Sequence, residues 1–265
     1  IRSKYQFLMD IRRIENQQLD EAIKFVQDVI LHEKDASWSQ QAAKSISDFM
    51  AERLHKFTVY GLYTTSLQSV IAYEEEKMHI ILLLTKLDSR RQGYASALLN
   101  HVQQLANDNH FAKLTANVVN SAKDFYHNYG FGDTGESTQA GGMEFTPMEF
   151  LLGQQWLGKT VHIHVDHEYG SFHPHIADMT YPVNAGYVEE IFQQTGEFQD
   201  AYIVGVQEPL ETFTGVVSGI IYHQEDSSAY FIVSRVGAKI DHDEVIQAVG
   251  FEQQFYRTRI VWKTA

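Results

Sequence analysis

Residues 78–106 read MHIILLLTKLDSRRQGYASALLNHVQQLA: an apolar run, a turn carrying Arg90, Arg91, Gln92, Gly93 and Ala95, then a pattern of helical period. The run MHIILLLT is apolar on both faces, which suits a central strand. The helix after it carries Ala95, Leu98, Leu99, Val102 and Leu105 on one stripe. A strand that aims a glycine-bearing turn at a helix N-terminus builds an anion site. The first helical amides have no intrahelical acceptor, and the helix dipole adds positive charge there. Gly93 lets the backbone approach a ligand, and the two arginines add fixed charge and forked donors.

The elements on either side limit what this unit can belong to. A strand over about Leu8–Ile14 leads into a helix with Leu19, Ala22, Ile23, Val26 and Ile30 at helical spacing. A second helix opens at Ser37-Trp38-Ser39-Gln40, a capping-box pattern, with Trp38, Ala42, Ile46, Phe49 and Met50 as its buried stripe. FTVYGLYTT, QSVIAYEEE and MHIILLLT form a three-strand meander. After the helix comes the strand KLTANVV. Asn120-Ser121 then caps a short helix that carries Ala122, Phe125, Tyr126 and Tyr129 on one face and ends at Gly130, and GGMEFTPMEFLL is the last strand. Glu74, Glu75 and Glu76 fall in a hairpin turn, as a solvated charge run.

Residues about 9–152 resemble the Gcn5-related N-acetyltransferases (GNAT). Arg90-Arg91-Gln92-Gly93-Tyr94-Ala95 fits that family's acetyl-CoA loop, Arg/Gln-x-x-Gly-x-Gly/Ala, between a strand and a helix. Asn120-Ser-Ala-Lys-Asp-Phe125-Tyr126-His-Asn-Tyr-Gly130-Phe131 nearly meets its later signature, with the alanine one place early. The resemblance implies an α/β (α+β) GNAT fold with a mixed central sheet flanked by helices. It also implies direct transfer of acetyl from acetyl-CoA, as cosubstrate, to a small-molecule or peptide amine. Thr85, Arg90, Arg91, Gln92, Gly93, Tyr94, Ala95 and Asn120 would contact the cofactor, and Tyr126 would be the general acid at the leaving thiolate. Many family members place a glutamate on the central strand. This one has none and offers only His79, so the base stays unassigned.

The 265 residues suffice for two cores of ordinary size, so two domains are expected: 1–152 and 159–265, joined by 153–158. Formal charge is −13, and residues 157–265 hold 6 Lys/Arg against 15 Asp/Glu, a balance that repels a polyanion. Nucleic acid is therefore not expected as a partner, nor a membrane, because no apolar run reaches spanning length. The absence of cysteine excludes thiolate chemistry. With no secretory signal at the N-terminus, a cytoplasmic location is expected. A start at Met9 would make IRSKYQFL an extension, which the sequence leaves open, as it does a homodimer.

Beyond Gly153–Gly158, short β-prone runs (VHIHV, AYIVGV, TGVVSGIIYH, AYFIVS) precede one helical stretch over 242–256, with Asp241-x-x-Glu244 as its cap and Val245, Val249 and Phe255 as its stripe. A small β-barrel closed by a C-terminal helix is expected. Residues about 157–262 resemble the soluble inorganic pyrophosphatases, an OB-like barrel family. The carrying residues are Tyr181-Pro182-Val183-Asn184-Ala185-Gly186-Tyr187, Gly196-Glu197-Phe-Gln-Asp200-Ala-Tyr-Ile-Val-Gly205 and Phe213-Thr214-Gly215. Asp166, Asp200 and Asp226 stand at that family's acidic positions. Thr195, Ala185 and Ala229-Tyr230 stand where it has an aspartate, a tyrosine and an Asp-Lys pair. Residues 160–234 contain no Lys or Arg against 11 Asp/Glu, so the cations that would neutralise diphosphate are missing.

His162, His164, His167, His173 and His175 crowd fourteen residues at a spacing that matches no known metal motif, and no bound metal is expected. The leading reading is an acetyl-CoA-dependent N-acetyltransferase with a catalytically inert barrel. The alternatives are an acetyl-CoA-binding regulatory or scaffold protein without turnover and, behind it, a Mg-dependent pyrophosphatase.

Overall fold

A computed structural model describes residues 9–33, 39–176, 178–193, 195–226 and 228–263. Residues 1–8, the expected strand start at Leu8, and Ser37 and Trp38 lie outside them. Two compact units divide the chain: Ile1–Ala106 with Lys113–Leu151, and Asn107–Ala112 with Leu152–Ala265. Among the described residues, no helix is long and apolar enough to cross a membrane.

The first unit begins with β1 (Asp10–Arg13), α1 (Leu19–Leu31) and α2 (Gln40–Arg53). The meander β2 (Thr58–Tyr63), β3 (Leu67–Glu74) and β4 (His79–Thr85) follows, then α3 (Tyr94–Asp108) and β5 (Lys113–Val119). After them come α4 (Lys123–Tyr129), the short β6 (Gly132–Asp133) and β7 (Thr138–Ala140), and β8 (Met143–Leu151). The sheet order is β1-β2-β3-β4-β5-β8-β6, with β7 also on β8. Among the described residues of this sheet only β4 and β5 run parallel, which makes the sheet mixed. β3 is buried at seven of its eight positions, as a middle strand covered on both faces must be. One core cluster joins Ala22, Val26 and Ile30 of α1 to Val59, Val70, Ala72 and Leu82 of the meander.

Helix α2 departs from expectation at one position of its stripe, Phe49. Its cap is Ser39, whose hydroxyl accepts from the Ala42 amide at 3.2 Å. Its buried residues are Ala42, Ala43 and Ser47, while Phe49 is exposed with the Arg53 guanidinium over its ring at 4.5 Å to the centroid. Of the expected stripe, Ala42 is buried and Ile46 and Met50 pack against the core cluster, whereas Phe49 does not, and Ala43 and Ser47 are buried in addition, so small side chains seat the helix closely. Asn120 is not a helix cap either: it lies inside a 3-10 turn, Asn120–Ala122, and its amide donates to Glu144.

The second unit contains β9 (Thr160–His167), β10 (Asn184–Phe192), β11 (Phe198–Ile203), β12 (Thr212–His223), β13 (Ala229–Ser234), α5 (His242–Gln253) and β14 (Thr258–Trp262). The pairings β13-β11-β10-β9-β12, closed by β12 on β13, make a five-stranded barrel, with β14 added to β12. The Asp241 carboxylate caps α5 by accepting from the Asp243 and Glu244 amides. Val245 and Val249 are buried, but Phe255 is past the helix and exposed, because α5 stops at Gln253. β10 and β14 were not expected as strands. In β10 the alternation is broken by register shifts at Ala185/Gly186 and after Val188. The first shift has a steric cause: a Cβ on Gly186 would lie 1.9 Å from the His164 carbonyl oxygen, so the two backbones approach as only glycine allows.

Candidate active site

β4 is fully paired on one side and barely on the other. Its ladder with β3 runs from Ser69↔Thr85 to Glu74↔His79, whereas its parallel ladder with β5 consists of His79↔Thr115 and Ile80↔Ala116. β5 then follows β8 as far as Val119↔Phe145. Past Ile80 and Ala116 the two parallel strands therefore separate, and backbone groups of both edges face a wedge between them. The closed end of the wedge holds His79, whose Nδ1 lies 2.8 Å from the Thr115 hydroxyl and whose imidazole is held below its usual pKa by burial.

The open end leads to the turn. Residues Leu87–Ser89 form one 3-10 turn, Arg91 and Gly93 follow with φ of +63° and +83°, and the Ala97 amide donates to the Gly93 carbonyl at 2.9 Å. Gly93 is thus the last residue before α3, and the amides of Tyr94, Ala95 and Ser96 have no intrahelical acceptor. Among the described residues, no atom beyond its two chain neighbours lies within 4 Å of the position a Gly93 Cβ would take. Room in front of a helix N-terminus, kept clear by a residue without a side chain, fits a phosphate group held by backbone donors. For Arg91 the left-handed conformation costs ~1–2 kcal/mol. A buried polar network holds this backbone down. Ser89 donates to Gln68 Oε1 at 2.6 Å, and Ser69 donates to the Leu84 carbonyl and sits 2.8 Å from the Thr85 hydroxyl.

The expected cofactor residues do not all face one way. Arg91 and Gln92 are exposed at the turn, with Tyr94 donating to Gln92 Oε1 at 2.9 Å. The Arg90 guanidinium is gripped by both oxygens of Glu33, so its charge is largely neutralised. The Thr85 hydroxyl is engaged by Ser69. Asn120 is exposed on Glu144. Ser89, Gln68 and Ser69, which fix the turn, and Glu33, which holds Arg90, escaped sequence reasoning. Small polar residues along β3 and a lone glutamate after α1 carry no local pattern.

Tyr126 is the buried member of α4, 6% exposed, with its ring edge-on to Phe125 and Phe131. Its hydroxyl makes no hydrogen bond among the described residues, and burial raises its pKa well above 10. Phe125 and Tyr129, which the helical spacing favours as core, are only half-buried. The Tyr129 hydroxyl donates to Gln103 Oε1 at 2.8 Å, and burial lifts it to about 12. Glu74–Glu76 lie where expected, in the β3–β4 hairpin, where Glu75 accepts from Thr58 at 2.6 Å and Glu74 pairs with Lys77.

A mixed sheet whose central parallel pair splits, followed by a glycine turn with open space before a helix N-terminus, defines the fold as α/β. Residues 17–152, just over half of the chain, match the acetyltransferase (GNAT) domain family, and the chain belongs to it. No curated protein matches the sequence. Among solved structures, similarity extends to a GCN5-related N-acetyltransferase of Rhodopseudomonas palustris, at 18% identity and a TM-score of 0.48 over 54% of this chain and 96% of that one. The PaiA N-acetyltransferase of Thermoplasma acidophilum in complex with coenzyme A shares 16% identity, with a TM-score of 0.47 over 54% and 98%. For yncA of Salmonella typhimurium with its cofactor acetyl-CoA the values are 16% and 0.41, over 54% and 94%.

Proposed function

We propose that the chain is an acetyl-CoA-dependent N-acetyltransferase acting on a primary amine of a small molecule or peptide. The observation that carries this reading is the split between β4 and β5 leading into the open cradle at Gly93. Acetyl-CoA would supply the activated acetyl group. The amides of Tyr94, Ala95 and Ser96 would hold its pyrophosphate, with the exposed Arg91 adding charge. Edge groups of β4 past Ile80 would align the pantetheine arm as an added strand does. Tyr126 would give its proton to the departing sulfur, and burial keeps that phenol protonated at any working pH. The amine must lose a proton to attack, and with no carboxylate on His79–Thr85 a relay of water would carry it to solvent. Arg90, through Glu33, positions the turn rather than the phosphate.

The barrel is proposed as an accessory domain related to the pyrophosphatases that has lost their chemistry. Its closed five-stranded sheet and C-terminal helix support the relationship, and the lack of Lys and Arg over 160–234 supports the loss. The negative balance argues against nucleic acid, and the lack of cysteine fits a cytoplasmic setting.

The test is amine-dependent release of coenzyme A across a panel of primary amines. Release with at least one amine is the expected result. Tight acetyl-CoA binding with no release for any acceptor would favour a sensor, a reading that draws on the absence of a carboxylate from His79–Thr85.

A further inference from the structure

We propose that the cavity bounded by β9, β10, β11, β13 and α5 is a binding site for a small organic ammonium ion. The cavity holds about 210 Å³, whereas one water needs about 10–15 Å³. Asp166, Asp200 and Glu252 line it together with the rings of Tyr181, Tyr202 and Tyr230. No Lys or Arg occurs over 160–234 or within His242–Gln253, so these elements present the carboxylates with no fixed counter-charge.

The internal hydrogen bonds leave the site incomplete. Tyr202 donates to Glu252 Oε2 at 2.6 Å and accepts from Gln253 at 2.8 Å, and Gln193 donates to Asp200 Oδ2 at 2.9 Å. Asp166 makes no hydrogen bond or ion pair among the described residues. Tyr181 is a sharper signal: only 4% exposed, it lines the cavity, yet its hydroxyl has no hydrogen-bond partner among them. Stacking against His167, at 4.5 Å between ring centroids, holds that ring in place. The Tyr181 oxygen is not one of the polar atoms sealed from solvent, so it opens to the cavity, where a ligand that donates a hydrogen bond can take the place of water.

The chemistry of the lining selects the ligand. An ammonium group donates to carboxylates and to the Tyr181 oxygen, and its alkyl part packs on aromatic faces that also attract cations. A diphosphate would meet three carboxylates and no cation. Among the described residues no three His, Asp or Glu side chains come together as a metal's ligand set, and a hard cation needs six or more close oxygens. The carboxylates are set around a space that a bare ion does not fill.

Isothermal titration of the full chain, without coenzyme A, distinguishes these ligands. The probes are 1,4-diaminobutane, its neutral counterpart 1,4-butanediol, and MgCl2. One diamine should bind per chain, the diol should bind at least ten times more weakly, and Asp200→Asn and Asp166→Asn should each weaken the diamine at least tenfold. Asp166 is exposed, so its variant keeps the barrel folded even if substitution at Asp200 does not. Absence of diamine binding, equal binding of the diol, or diamine affinity unchanged by Asp166→Asn would overturn the proposal. So would Mg²⁺ binding that displaces the diamine and depends on the same carboxylates. Because the readout is heat without the acetyl donor, failure of the acetyltransferase reading leaves this one standing.

Discussion

The turn at Arg90–Ser96 and the barrel cavity are both polar sites, but they are made from opposite materials. At the turn the donors are backbone amides at a helix N-terminus, one arginine is tied to Glu33, and the space ahead is clear because Gly93 has no side chain. In the cavity the polar groups are side chains, three of them carboxylates, set among tyrosine rings. A backbone site survives sequence drift so long as the glycine and the helix remain. A side-chain site changes its ligand whenever its charges change. Residues 160–234 of the barrel carry no Lys or Arg against 11 Asp/Glu, so the charge of its side chains favours a cation over an anion.

Two glycines make the contrast testable, and the larger effect is in the barrel. Gly186→Ala sets a Cβ 1.9 Å from the His164 carbonyl oxygen, a clash that only separation of β9 and β10 relieves. The expected loss is on the order of 4 kcal/mol or more, read as collapse of the barrel's thermal transition. A variant that melts like the parent would show the strands to be less constrained than their register implies. Gly93→Val should do the reverse. Its Cβ has open space around it, so stability should fall chiefly by the ~1–2 kcal/mol of a left-handed β-branched residue. Acetyl-CoA affinity should fall by about 100-fold, or ~3 kcal/mol. Unchanged affinity by titration would remove the cradle from the cofactor site.

Next in size is Tyr126→Phe, a test confined to the first unit. Loss of a general acid costs about 100-fold in turnover, with acetyl-CoA binding nearly unchanged. The pH profile should show no break from Tyr126 below pH 10 in the parent, because burial raises the phenol's pKa. Equal turnover in the variant would reduce Tyr126 to packing between Phe125 and Phe131.

The sequence made the two sites unequally legible, for physical reasons. MHIILLLT, the turn and the helix after it are local and periodic, and the structure has them as β4, the Gly93 turn and α3. The split between β4 and β5 is non-local, since it depends on where pairing with β8 draws β5 aside. Arg90 read as a phosphate ligand because its partner, Glu33, lies 57 residues away. β10 was hidden because Gly186 and the glutamates after Val188 break its alternation, and Gly186 makes sense only beside His164. The cavity's carboxylates were visible one by one. Their convergence with Glu252, from a helix some fifty residues beyond Asp200, was not.

The smallest expected effect bears on why the cavity keeps its charge. Burial, with Asp166, Glu197 and Glu252 adding repulsion, raises the Asp200 carboxyl from 3.8 to about 6, against the hydrogen bond from Gln193. A carboxyl whose folded pKa lies above its unfolded value binds its proton more tightly in the native state. Its contribution is therefore favourable below about pH 4 and is lost as pH rises through 6, leaving a penalty at pH 7 of roughly 1–3 kcal/mol. Asp200→Asn should accordingly raise stability by about 2 kcal/mol at pH 7, where urea unfolding reads it directly, and by close to nothing at pH 4. A stability gain paired with loss of diamine binding would mean that Asp200 is retained for what it holds. A loss of stability at both pH values would mean that the Gln193 contact outweighs the buried charge, and the cavity would then be a packed polar seam rather than a binding site.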